Sequence, residues 1–217
     1  MPTTKSTLLS EADLEMLYLI HDAFRRDTQR LARVAEHGVP EDPATHDAVL
    51  LGWHGFSRAL HHHHSIEDDM FWPLMRTRLQ DEPEALAVLD AMEAEHALLD
   101  PSLAAVEDAF DDREHGPDVL AERLDAVVHT LRSHLAHEEK DAVPLMARTI
   151  THRELKRLSR NAVHSLSRAE LEQTTPFMFE GAPEDRARRM LHELPVPVQL
   201  CHRFWWEPKY RRTRRWE

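Results

Sequence analysis

Two stretches of the chain carry the same chemical pattern. His63-x-x-x-Glu67 is followed after five residues by Pro73-Leu74-Met75, and His134-x-x-x-Glu138 after five residues by Pro144-Leu145-Met146. A His and a Glu four residues apart lie on one face of a helix, so both side chains can reach the same point. His21 and His96 each supply a further imidazole from the segment preceding one of these pairs. If the six groups converge in a helical core, two carboxylates are buried there, and neutral imidazoles cannot offset their charge. Divalent or trivalent cations can. Carboxylates that bridge two ions, with imidazoles as terminal ligands, make a dinuclear site, and this mixed N/O donor set suits iron first, then manganese or zinc. The metal expectation therefore covers His21, His63, Glu67, His96, His134 and Glu138, with two iron ions.

Periodicity supplies the elements that must hold these residues. Leu14, Leu17, His21, Phe24, Thr28, Leu31 and Ala35 follow three-four spacing, as do Val49, Trp53, Phe56, Leu60, His63, Glu67, Met70 and Leu74. So do Leu89, Met92, His96, Leu99, Leu103, Val106 and Phe110, and then Leu120, Leu124, Val127, Leu131, His134, Glu138, Asp141 and Leu145. Each set is one helix face turned toward a core, and each is interrupted by its polar groups near the middle. No Lys or Arg sits on these stripes to neutralise the acids. Turn signals at His37-Gly38-Val39-Pro40, around Glu82-Pro83 and at Asp111-Asp112-Arg113-Glu114-His115-Gly116-Pro117 separate the four segments. Connections this short favour antiparallel neighbours, so the fold class expected is all-α: an antiparallel up-down four-helix bundle with a short helical C-terminal extension. The two His-x-x-x-Glu hairpins, about seventy residues apart, read as an internal repeat.

Charge draws the boundary of that extension. Residues 1–150 carry 13 Lys+Arg against 30 Asp+Glu, whereas residues 151–217 carry 14 against 9. The division expected is a bundle over 1–150 and a helical extension over 151–217, which ends in the basic, aromatic run RFWWEPKYRRTRRWE. Thr151-x-x-Glu154 and Ser167-x-x-Glu170 are capping boxes, and a third short helix is expected after Ala182-Pro183. A basic tail folded back on an acidic domain is the plain account of that run. The net charge of −12 over 217 residues makes nucleic acid an unfavourable partner. Only 5 Gly argue against sandwich, barrel and dinucleotide folds, and the single Cys201 leaves no disulfide framework and no thiolate zinc site. No stretch reaches membrane-spanning length, and MPTTKSTLLSEADLE lacks the apolar run of a secretion signal, so a cytoplasmic protein is expected.

Over about residues 10–150 the chain resembles the hemerythrin-like family, the HHE cation-binding domain. The resemblance rests on His21, His63-x-x-x-Glu67, His96, His134-x-x-x-Glu138 and the prolines ten residues after His63 and His134. It implies a four-helix bundle around a non-haem di-iron centre in which Glu67 and Glu138 bridge. Ferritin-like carboxylate proteins use Glu-x-x-His at i, i+3 and four carboxylates; in the two pairs here the order is His first, the spacing is i, i+4, and there are fewer acids. Oxygen-carrying hemerythrins have a second His one turn after the histidine of the third helix; here that place holds Asp100. Asp100 is open to three roles: metal ligand, acceptor for a ligand's hydrogen bond, or helix-surface acid. It joins the candidate metal residues, and its presence counts against dedicated oxygen storage.

The function expected is that of a sensor, scavenger or weak oxidoreductase whose partner is a small diatomic ligand or peroxide. Enzymatic turnover on peroxide or NO and the identity of any protein partner stay open. The alternatives are an iron-responsive interaction protein without turnover, its fold coupled to metal binding, or an O2 storage protein. Within His61-His62-His63-His64, only His63 falls on the stripe, and the other three are expected to face solvent or a neighbouring helix. Asp68, His137 and Glu139 read as solvated helix faces, while Asp141, on the stripe, is a candidate to orient a ligand.

Overall fold

The computed structural model describes residues 9–39, 42–112 and 114–216; Pro40 and Arg113 of the expected turns, and the chain start read for a signal, lie outside them. The described residues are helical, with no strand among them. Helix α1 spans Glu15–His37 after a short 3-10 turn over Glu11–Leu14. The Asp13 carboxylate accepts from the Ser10 backbone N–H at 2.8 Å. Gly38, at φ 76°, ends α1 and returns its N–H to the Val34 carbonyl. Helix α2, Pro43–Ile66, opens on Asp42, which accepts from Thr45 N–H at 3.0 Å, with Pro43 at its first position. Helix α4 spans Pro83–Asp111 and α5 spans Gly116–His137. Gly116 is required where α5 begins, because a Cβ there would stand 1.9 Å from the Ala109 carbonyl oxygen.

Two of the rods contain a π-turn at the acids that matter. After α2 comes a turn over Glu67–Phe71 and then α3, Trp72–Arg78; after α5 comes a turn over Glu138–Ala142 and then α6, Val143–Thr149. In each, the N–H just before the proline bonds five residues back: Trp72 to the Glu67 carbonyl, Val143 to the Glu138 carbonyl. Pro73 and Pro144 have no N–H to continue the ordinary ladder, so the backbone is wider there by one residue. The π-turn is how the chain accommodates each proline without ending the rod. The extra residue also slips the inward face. Met70, Leu74, Asp141 and Leu145, expected on the stripes, are only partly buried. Trp72, Met75 and Leu79, and in the other rod Ala142, Val143 and Met146, are buried instead.

Helix α5 packs against α1 and α4, and α2 meets both α1 and α4. Two apolar clusters fill the interior. One holds Phe24, Leu31, Trp53, Phe56, Leu60, Leu99, Val106 and Leu131; the other holds Leu14, Trp72, Met75, Leu89, Met92, Val143 and Met146. In every rod the expected metal-binding histidines and glutamates stand in sequence between a member of one cluster and a member of the other. The polar groups thus form a single level between two dry layers, where an unpaired charge is costly.

The C-terminal segment continues as α7 (His152–Ser165), α8 (Arg168–Phe179), α9 (Glu184–Glu193), α10 (Val196–Cys201), a third π-turn (His202–Trp206) and α11 (Glu207–Arg212). Both expected capping boxes are present. Helix α8 lies on α1 and α2, and Phe177 enters the main core. Arg26 donates to the carbonyls of Phe177 (3.0 Å) and Glu180 (2.6 Å), and Arg30 pairs with Asp27 (2.7 Å) and Glu180 (2.6 Å). The basic tail folds back: Trp216 N–H donates to the Ala48 carbonyl at 2.9 Å, and its ring takes the space a side chain at Gly52 would need. Among the described residues no helix is long and apolar enough to cross a membrane.

Candidate metal centre

Seven buried side chains meet at the polar level. His21 comes from α1, His63 and His64 from the last turn of α2, His96 from the middle of α4 and His134 from the last turn of α5. Glu67 and Glu138 are the first residues of the two π-turns. The donor atoms form two groups, each within 4.8 Å: His21, His63, Glu67 and Glu138 in one, and His64, His96 and His134 in the other. The glutamates stand between the groups. Glu67 Oε1 lies 3.4 Å from His63 Nε2, while its Oε2 lies 3.7 Å from His96 Nε2. Glu138 Oε2 lies 3.2 Å from His21 Nε2 and 3.8 Å from His134 Nε2.

Three histidines have their tautomer set from behind. His21 Nδ1 is 2.8 Å from Glu139 Oε1, His96 Nδ1 is 2.9 Å from Asp68 Oδ1, and His134 Nδ1 is 2.8 Å from Glu95 Oε2. An ionised carboxylate only accepts, so each Nδ1 donates, and in the neutral ring the Nε2 lone pair points into the centre. His96 and His134 then face each other lone pair to lone pair across 3.2 Å, and His21 Nε2 stands 3.1 Å from His63 Nε2. The first approach is repulsive without a cation, whereas in the second one ring's Nε2–H can donate to the other. Two nitrogens bound side by side on one octahedral ion, each at about 2.1 Å, stand about 3 Å apart, which these pairs match.

Unsatisfied atoms point the same way. Among the described residues, both oxygens of Glu67, both of Glu138 and both ring nitrogens of His64 are buried without a hydrogen bond. Buried polar atoms left in this state are costly, and clustered ones mark a place for a cation. The donor set therefore fits metal ions.

Electrostatics shows the cluster's appetite for positive charge. Burial drives His63 and His64 well below the usual imidazole range, and the neighbouring imidazoles add to this, outweighing the pull of Glu138 on His64. Burial also opposes protonation of His21, but Glu138 and Glu139 outweigh it and raise this histidine to about 9. Burial would raise Glu138, yet His21 and His134 hold it at about 2. Burial and the Glu138 charge both push Glu67 well above the usual carboxylate range. Protons drawn onto His21 and Glu67 are the compensation these residues find among themselves. Metal ions supply more.

Six expected ligands, His21, His63, Glu67, His96, His134 and Glu138, are thus brought together. Asp100 is not among them. It is exposed, because α4 turns Leu99 and Leu103 inward and leaves position 100 on the outer side. Its ligand role and its acceptor role both fall away. His64, expected to face solvent or a neighbouring helix and not counted as a ligand, lies against His96 of α4 inside the centre, at 4 % exposure. Its signal was in the repeat: the matching position in the second pair is Leu135, fully buried, so this column faces the core in both halves. Elsewhere in the run, His61 is exposed, and His62 reaches Glu170 of α8 at 3.0 Å.

The flanking polar residues are corrected as well. Asp68 and Glu139, each one residue after a central glutamate, support His96 and His21 rather than lying on solvated faces. His137 shares Glu95 with His134, its Nδ1 lying 2.7 Å from Glu95 Oε1. Asp141 contacts His137 (3.5 Å) and Lys140 (3.4 Å), at the rim and not at a ligand. Glu95 was not singled out by periodicity because its position on α4 lies off the stripe.

Comparison with curated proteins and with solved structures gives no match. Comparison with family models gives one, the hemerythrin HHE cation-binding domain, over residues 12–146. That span covers more than half of the chain and includes every residue of the centre. The chain belongs to the hemerythrin HHE cation-binding domain family.

Proposed function

We propose that this chain, read as an up-down antiparallel bundle with its extension, is a non-haem di-iron protein that binds or processes O2, NO or peroxide as a sensor, scavenger or weak oxidoreductase. The observation that carries this reading is the pairing of two donor groups across two shared, unsatisfied glutamates. Iron, when bound, supplies reversible electron transfer and coordination positions for a small ligand. The chain's own part is to hold and to insulate. His21 and His63 would hold one ion, His64, His96 and His134 the other, with Glu67 and Glu138 shared. Glu139, Asp68 and Glu95 keep three of the imidazoles turned inward. The apolar layers on either side exclude water from the polar level.

Reversible oxygen storage is the second reading, and one observation favours it. The objection raised by Asp100 was a missing fifth imidazole, and His64 supplies a fifth from another helix.

Metal analysis of protein grown in iron-replete medium should give about two irons per chain. Anaerobic ferrous protein should change its absorption spectrum on adding O2, NO or peroxide. At most one tightly held ion, or zinc alone, would defeat the di-iron reading. A spectrum that returns on removing O2 would select storage over processing.

A further inference from the structure

The hemerythrin match ends at residue 146, yet one side chain from beyond it is packed next to the centre. Phe177, at the end of α8, is 2 % exposed. Its ring lies tilted on Phe24 of α1 with centroids 5.8 Å apart, and Phe24 lies against His63 with centroids 5.3 Å apart. Phe24 also meets Phe56 edge-on at 6.1 Å, so three rings confine it. Arg26, two residues on, holds the end of α8 through the Phe177 and Glu180 carbonyls, and its guanidinium sits 5.0 Å from the Phe177 ring centre. Residues 21–26 of α1 therefore present a metal-facing histidine, an aromatic wall and the dock for the extension.

The two donor groups differ in a way that makes this wall matter. With both glutamates shared, the His21–His63 position has two imidazoles where the other has three. On octahedral ions the first position is the more open to an outside ligand. It is also the position that Phe24 covers. We propose that Phe177 is a positioning residue: reaching in from the C-terminal extension, it fixes Phe24 against His63 and so limits what reaches the His21–His63 position to molecules of a few atoms. The inference rests on the metal reading above. Without the Phe177 ring, Phe24 would have an adjoining cavity of aromatic size into which to swing, and such cavities stay dry and accept apolar rings.

The test uses full-length, iron-loaded ferric protein with azide as a small probe and phenolate as a bulky one, each followed by its charge-transfer absorption. The wild type should bind azide and exclude phenolate. Phe177→Ala should bind phenolate and take up azide roughly tenfold faster. Phe177→Leu, which refills most of the space, should fall between. Phe179→Leu loosens a separate contact of the extension, with Leu19 and Met190, and should behave as wild type. Should Phe177→Ala fail to fold, Phe177→Leu against wild type decides. The proposal is overturned if the Phe177 variants match wild type toward both probes, if wild type admits phenolate, or if Phe179→Leu opens the centre equally. Failure of the metal reading looks different, since the wild type would then hold no iron and show no azide band.

Discussion

The imidazole of His64 lies flat on that of His96, with ring centroids 3.9 Å apart and planes 12° from parallel. Stacking positions His64 while both of its nitrogens remain without hydrogen bonds among the described residues. A histidine fixed by packing and left polar-unsatisfied in a buried cluster is arranged for a cation. His63→Ala and His64→Ala should each lower metal content and weaken retention of the remaining ion by at least about tenfold, whereas His61→Ala and His62→Ala should keep both ions. Chelator competition on the four purified variants separates them. Wild-type retention by His64→Ala would remove this residue from the centre.

Much of this architecture was legible because the chain marks its helix ends with residues of one conformational purpose. Pro43 and Pro83 sit at helix starts, Gly38 takes the positive φ that stops α1, and the Thr151 and Ser167 capping boxes open α7 and α8. Three-four spacing found six of the seven central side chains. It missed His64 because a stripe is a single line, while the inward face of α2 is two columns wide, Ala59 with Leu60 and then His63 with His64. It misassigned Asp141 because the π-turn adds a residue that no regular period anticipates. The recoverable sign was a proline six residues after each glutamate, which denies the α-ladder its next donor. Residues supporting from behind, such as Glu95 and Glu139, had no periodic signature, since they reach the centre only through another side chain.

Glu139 offers a test of that support. Its carboxylate receives both His21 Nδ1 (2.8 Å) and the Arg25 guanidinium (2.9 and 2.7 Å), and it is held at about 2 by His21 and Arg25 although burial works against this. Glu139→Gln removes the charge while nearly preserving shape. Metal affinity should fall by about 10- to 100-fold, with little change in helicity. Equal affinity in competition against a chelator would show that the orientation of His21 is set by packing alone.

A pH effect should appear far from the centre, where α7 meets α3. Arg78 binds the Glu154 carboxylate through both terminal nitrogens (2.9 and 2.5 Å), and this contact, reinforced by Thr151, lowers Glu154 from 4.5 to about 2. A carboxylate depressed in the folded state contributes stability that is complete above its unfolded value and is lost as pH falls through its folded value. The contribution should therefore be full above about pH 4.5 and fade toward pH 2. Urea midpoints of wild type and Glu154→Gln should differ at neutral pH and converge over that window. A constant difference down to pH 2 would assign the effect to the capping geometry and not to the charge.

The extension should matter to the whole bundle, and its removal is the broadest test. Phe177 fills a core site bounded by Phe24, and Glu180 accepts ion pairs from Arg26 (3.4 Å) and Arg30 (2.6 Å) and a hydrogen bond from Tyr210 (3.1 Å). Taking away residues 151–217 leaves an aromatic-sized hole at Phe24, exposes Leu19, and strips Arg26 and Arg30 of every partner except Asp27. Loss of one buried Phe side chain alone costs about 3–5 kcal/mol, which in a chain of this size lowers the melting temperature by roughly 10 °C. The seven central side chains all lie before residue 151, so the truncated chain should still bind metal in the cold. Its apolar face should nevertheless make it prone to associate. Calorimetry and light scattering on the truncated protein check both consequences. An unchanged melting temperature with no association would mean that the bundle completes its core without the extension, and that Phe177 contributes nothing to it.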